Sequence, residues 1–172
     1  MAEGIAWVEP PGLAGAIGML PLPGLVIAQR GERFVDSALQ EEVLDALAAQ
    51  QAILLVVLLE DGECDPDEIE DLAHAAKERS ITLLGAPIAD FSAPDRRLDW
   101  PALIERLAGE LRQGHRIAFC CLAGYGRSGM MAARLLIATG STPEDAIAAV
   151  RAARPGAIES DEQVAYLLAC AP

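Results

Sequence analysis

Basic residues are scarce. Lys and Arg total 13 against 26 Asp and Glu in 172 residues, a formal net charge of −13. Non-specific binding to nucleic acid or to an anionic membrane needs a basic face, so the balance argues against both. The same imbalance means that any anionic substrate must be drawn by a local pocket, because the global field repels it. Long hydrophobic runs are missing too. Gly12–Ala28 is apolar but carries Pro21 and Pro23, and no run reaches the roughly 20 residues that span a bilayer. The opening Met1-Ala2-Glu3-Gly4 lacks the basic flank of a signal peptide, so a cytoplasmic protein is expected. The 2 histidines, His74 and His115, stand in no triad or metal-ligand pattern and read as surface or structural residues. No repeat or low-complexity linker interrupts the chain. Cys64, Cys120, Cys121 and Cys170 are expected to be free thiols, given the core-rich composition and the absent leader.

What is present is core. Hydrophobic residues make up 52% of the chain, enough for one domain over 1–172. Short extended pieces are predicted around Trp7–Val8, Ala16–Leu20 and Leu25–Ala28. Asp36 can cap a helix to about Gln51, with Leu39, Val43, Leu44 and Leu47 on its inner face. Ala52–Leu59 is an uninterrupted branched run of strand length, which suggests a strand buried on both faces. A helix from Pro66 to Arg79, a strand at Ile81–Leu84, a helix over Trp100–Arg112 and a strand at Arg116–Cys120 follow. A Gly-rich turn then opens a helix over Ser128–Thr139. Thr142 and Ser160–Asp161 start two more. Strand and helix alternate as in an α/β domain with a mostly parallel central sheet flanked by helices. In such sheets ligands bind outside the carboxyl ends of the strands.

The segment Cys121-Leu122-Ala123-Gly124-Tyr125-Gly126-Arg127-Ser128 lies at such an end. Small residues between a buried strand and a helix can turn backbone N–H groups inward, and the helix N-terminus adds positive potential. A tetrahedral oxyanion fits that cradle. Arg127 can offer it two parallel hydrogen bonds, which Lys would not. Cys121 sits at the base, where its thiolate would be stabilised. Ser128 can donate a hydrogen bond to the sulfur. Thiolate attack on an ester also needs a proton donor for the leaving oxygen. Asp90, in the stiff loop Pro87–Pro94, is the candidate, with Asp95 as its rival.

Cys-x5-Arg-Ser after a strand resembles the signature loop of the dual-specificity and protein tyrosine phosphatase superfamily. The Asp90 loop, where Asp precedes Pro94 by four, resembles that family's general-acid loop. The closing stretch Arg154–Gln163, with Gly156-Ala157-Ile158, resembles its C-terminal turn. The likeness runs from about Ile81 to the end and is greatest to phosphatases of the kinase-associated type. It implies a cysteine-phosphatase fold and hydrolysis of phosphotyrosine and/or phosphoserine/threonine through a cysteinyl-phosphate. Cys121, Arg127, Asp90 and Ser128 would carry the chemistry. Leu122, Ala123, Gly124, Tyr125, Gly126 and Gln163 would line the substrate site, Gln163 positioning water. Arg154 would be structural. No metal or cofactor is implied, and the partner would be a phosphoprotein.

Cys120 departs from the pattern, which has His before the nucleophile. It reads as a small buried residue or, more sharply, as a thiol that traps oxidised Cys121. The Ala-rich composition suggests a bacterial source, so a cyclin-dependent kinase partner is not carried over. The acidic run Asp61–Glu68 fails as a calcium loop because Pro66 stands where Gly is needed, and it reads as a solvated loop and helix start. Phosphatases of lipids or small molecules share the Cys loop, as do sulfurtransferases and arsenate reductases. A catalytically weak phosphoprotein-binding module would keep its cradle.

Overall fold

A computed structural model describes residues 4–170. Met1-Ala2-Glu3, on which the absence of a leader was read, and residues 171–172 lie outside it. Seven strands and six helices follow one another: β1 Ala6–Val8, β2 Ala16–Pro21, β3 Leu25–Ile27, β4 Arg33–Val35, α1 Ser37–Ala49, β5 Ala52–Val57, α2 Pro66–Glu78, β6 Thr82–Gly85, α3 Trp100–Arg112, β7 Arg116–Cys121, α4 Gly126–Ala138, α5 Pro143–Ala153 and α6 Asp161–Leu168. Five strands form the central sheet in the order β1-β2-β7-β5-β6. Only β1 runs antiparallel; β2, β7, β5 and β6 pair in parallel, which requires the long helical crossovers between them.

Side-chain alternation along the strands separates two cores. Ile117, Phe119 and Cys121 of β7 face the side covered by α3, α4, α5 and α6, packing with Leu107, Met130, Val150 and Leu167. Ala118 and Cys120 face the other side, with Leu44 and Leu47 of α1 and Leu72 and Ala76 of α2. Both faces of β7 and β5 are therefore buried, as their continuous apolar runs require. Burying each such Leu or Ile side chain stabilises the fold by about 1.5–3 kcal/mol.

Several local expectations shift. On α1 the inner face is Gln40, Leu44 and Leu47, while Leu39 is exposed. Gln40 packs where a Cβ on Gly24 would sit, 2.8 Å away. The hairpin β3–β4 includes a strand, Arg33–Val35, that is mostly solvent-facing and so has no apolar run to betray it. Helix α4 starts at Gly126, two residues before the predicted Ser128. Arg127 thus belongs to the first turn of a helix, with its backbone fixed by α-helical geometry.

Candidate active site

Parallel pairing brings the carboxyl ends of β2, β7, β5 and β6 to one edge, and the loops that leave β7, β5 and β6 meet there. Cys121 closes β7 and is 3% exposed. Its Sγ accepts a hydrogen bond from Gly124 N–H at 3.2 Å. Gly124 adopts φ 75°, and a Cβ there would lie 2.4 Å from the carbonyl carbon of Leu20 and 2.5 Å from Pro21 N. Only glycine lets the loop lie this close to the end of β2. Gly126 is confined by side chains rather than backbone: a Cβ would fall 2.5 Å from Glu159 Oε2 and 3.1 Å from Gln163 Nε2.

Arg127 is 1% exposed. A buried guanidinium must have its charge and donors met, and two loops do so. Glu63, in the loop after β5, takes it in a two-pronged pair, Nη1 to Oε2 at 2.6 Å and Nη2 to Oε1 at 2.9 Å. Nη1 also reaches the carbonyls of Ile88 at 3.1 Å and Leu58 at 3.4 Å. Nη2 lies 3.3 Å from Asp90 Oδ1. The Nε–H has no hydrogen-bond partner among the described residues. Burial alone would raise the Glu63 carboxyl, but the Arg127 hydrogen bonds, the Glu60 amide and the nearby positive charge outweigh it and hold it below its ordinary value. The acidic run Asp61–Glu68 is a largely exposed loop and the start of α2, as its composition suggests, but Glu63 within it turns inward to Arg127. No spacing rule links Glu63 to an arginine 64 residues later; the signal is the topological rule that loops at the carboxyl ends of neighbouring parallel strands converge.

Asp90 is half exposed and is oriented by the N–H of Phe91 at 3.1 Å as well as by Arg127. Its rival Asp95 is turned away, bound to Arg97 through both the backbone N–H at 2.9 Å and Nε at 2.6 Å. Ser128 does not meet the expectation of a hydrogen bond to sulfur. Its hydroxyl is fully buried and without a partner among the described residues. Because α4 begins early, Ser128 is fixed inside the first helical turn, and Gly124 N–H serves the sulfur instead.

The model of the family described as polymorphic toxin system, DSP-PTPase phosphatase matches residues 32–141, more than half of the chain. The chain belongs to that family. It is 37% identical over 89 residues to protein tyrosine phosphatase type IVA 3 of Homo sapiens and 36% identical over 89 residues to that of Bos taurus. The match covers 51% of this chain and 50% of the human protein, so the chain spans about half the length of the curated relatives it matches. Among solved structures it is similar to kinase associated phosphatase carrying a serine in place of the catalytic-site cysteine (TM-score 0.77, 25% identity, 95% of this chain and 90% of that one). It is also similar to Tk-PTP in its active form (TM-score 0.63, 27% identity, 95% of each chain). The expected phosphatase family and its α/β fold are thus found.

The remaining loop residues differ in what they present. Leu122 packs its side chain toward the core on the α1–α2 side. Ala123 is exposed, and its carbonyl accepts from Arg154 Nη2 at 3.2 Å. The guanidinium of Arg154 lies 4.1 Å from the centroid of the Tyr125 ring, so Tyr125 is stacked rather than free at the rim. Gln163 is fully buried, not an exposed helical residue. Its Oε1 accepts from Glu159 N–H at 2.9 Å and Ser160 N–H at 3.3 Å, closing a capping box at the start of α6. Its Nε2 is unpaired among the described residues and faces Gly126. With both acceptor sites of Oε1 used, Gln163 has donors to offer but no acceptor. Cys120 is fully buried on the face of the sheet opposite to Cys121, and burial pushes its thiol up. Cys64 donates to Glu68 at 2.9 Å, and burial together with that carboxylate pushes it up to about 12.

Proposed function

We propose that this family member hydrolyses phosphotyrosine and/or phosphoserine/threonine in phosphoproteins, with Cys121 as nucleophile. The observation that carries the reading is the convergence of two loops, the β7–α4 turn with Cys121 and Arg127 and the loop after β6 with Asp90, with Asp90 Oδ1 3.3 Å from Arg127 Nη2. In the first step the Cys121 thiolate forms an S–P bond as the P–O bond to the leaving side chain breaks. Asp90 gives its proton to the departing oxygen. In the second step water forms a new P–O bond, the S–P bond breaks, and Asp90 takes the proton from water. Loop N–H groups and Arg127 hold the three equatorial oxygens throughout. Since Glu63 occupies one edge of the guanidinium, the phosphate is held by the free Nε–H and the remaining Nη2 hydrogen. Gln163 Nε2 donates to the attacking water across Gly126.

The substrate is a phosphoprotein met in the cytoplasm of a bacterial cell. The free state of all four cysteines supports that compartment, and the family's description as part of a polymorphic toxin system supports that source. The test is phosphate release from para-nitrophenyl phosphate and a phosphotyrosine peptide, in reductant and without added metal. Turnover should vanish in Cys121→Ser and persist in Cys120→Ser. Turnover that survives Cys121→Ser sinks the proposal.

A further inference from the structure

The loop that carries Asp90 is held in a conformation it would not adopt alone. Phe91 has φ 57°, left-handed backbone that is strained for a bulky residue. Its ring is largely exposed and so does not hold it there. Two hydrogen bonds from the start of α6 do. The Ser160 hydroxyl donates to the Phe91 carbonyl at 2.5 Å, and Glu162 Oε1 accepts from the Ala93 N–H at 2.9 Å. They bracket the turn immediately after Asp90.

Ser160 has a second task. Its oxygen accepts from the Gln163 N–H at 3.1 Å and so caps α6. A hydroxyl has one proton to give and lone pairs to accept with. Here the acceptor serves the helix and the single proton serves the loop. One side chain thereby joins the Asp90 loop to the helix start that presses Gln163 against Gly126.

We propose that Ser160 and Glu162 are positioning residues that latch the Asp90 loop in its proton-donating arrangement. The proposal rests on the assignment of Asp90 as general acid. Neither residue is within hydrogen-bond reach of Cys121 or Arg127. They act only through the loop.

The two tasks of Ser160 can be separated. Ser160→Asp keeps the cap, because a carboxylate accepts from Gln163 N–H, but it has no proton for Phe91 and sets a negative charge against that carbonyl. Ser160→Thr keeps both. Glu162→Ala removes the acceptor for Ala93, and Glu162→Gln keeps one. Amide hydrogen exchange over 89–94 is the first readout and needs no turnover. It should quicken about tenfold or more in Ser160→Asp and Glu162→Ala, stay unchanged in Ser160→Thr and Glu162→Gln, and leave α6 protected in all four. The second readout is kcat/KM for two esters. In Ser160→Asp it should fall about tenfold for phenyl phosphate, whose leaving group needs a proton, and less than about twofold for 2,4-dinitrophenyl phosphate. The alkaline limb of the pH profile should weaken in step. Exchange that stays slow in both disruptive variants overturns the latch. Quickened exchange with no change in leaving-group dependence, where Asp90→Asn does change it, overturns the positioning role. Wild-type protein that turns over neither ester removes the acid role of Asp90 and the positioning role with it. Quickened exchange in Ser160→Asp would then tell that failure from a failed latch.

Discussion

A guanidinium that is 1% exposed depends on its partners, and Glu63 is the one that carries charge to it on both Nη atoms. Glu63→Gln keeps the shape and one acceptor but removes the charge, which should cost about 2 kcal/mol at neutral pH. The pH dependence follows from the direction of the Glu63 shift. The folded carboxyl lies below its ordinary 4.5, so the pair's contribution is complete above 4.5 and is lost as pH falls through the lowered folded value. Urea midpoints of wild type and Glu63→Gln should therefore differ at pH 7 and converge in acid; a gap that stays constant to low pH contradicts the pairing. The variant should also bind vanadate more weakly, since Arg127 is no longer held with its Nε–H free. Asp90→Asn makes a different prediction at the same scale. It should reduce kcat/KM by about 10²-fold or more for esters with poor leaving groups and little for good ones. Asp95→Asn, which disturbs only the contact to Arg97, should reduce neither.

Between β7 and α4 the cradle is defined by where glycine is obligatory. Gly124→Ala would place a methyl 2.4 Å from the Leu20 carbonyl carbon, on a residue already at φ 75°. Backbone cannot yield as a side-chain tip can, so the left-handed penalty and the overlap add to more than about 2 kcal/mol. Thermal unfolding should show that loss, and vanadate affinity should fall because the N–H groups no longer converge. The same element shows how much could be read beforehand. The strand before Cys121, the helix after it and the spacing to Arg127 were legible, because an apolar run and a Gly-rich turn are local signals. The early start of α4 was not, since Gly126 is a poor helix former that is placed in the helix by tertiary fit against Glu159 and Gln163. Strand β4 escaped because Arg33-Phe34-Val35 is short, mostly solvent-facing and paired only with β3. The contacts that Glu63 and the Ser160 hydroxyl make across the fold escaped for a third reason, although Ser160 itself was legible as a helix start. The partners, Arg127 and Phe91, lie 64 and 69 residues away, and no periodicity or motif encodes a contact made by chain crossover.

Over the whole molecule the net charge of −13 works against anion binding at the Arg127 loop. A phosphate monoester approaching through solvent meets repulsion until it is within reach of Arg127 and the loop N–H groups. Glu60 and Asp95 share the single positive charge of Arg97, so the three together still leave one negative charge. Attraction at long range, beyond the reach of the pocket, would then have to come from positive charge on the substrate. A phosphopeptide with Lys or Arg beside the phosphorylated residue is drawn by the same field that repels a small dianion. Screening acts on these two cases with opposite sign, because exposed charges lose most of their interaction beyond about 8 Å at physiological ionic strength. Raising salt from about 20 mM to 500 mM should therefore increase kcat/KM for para-nitrophenyl phosphate and decrease it for a basic phosphopeptide. An acidic phosphopeptide should follow para-nitrophenyl phosphate. Salt slopes of one sign for all three would mean that the field at the pocket is set by Arg127 and the cradle alone. The surrounding acidic surface would then have no part in choosing among phosphopeptides.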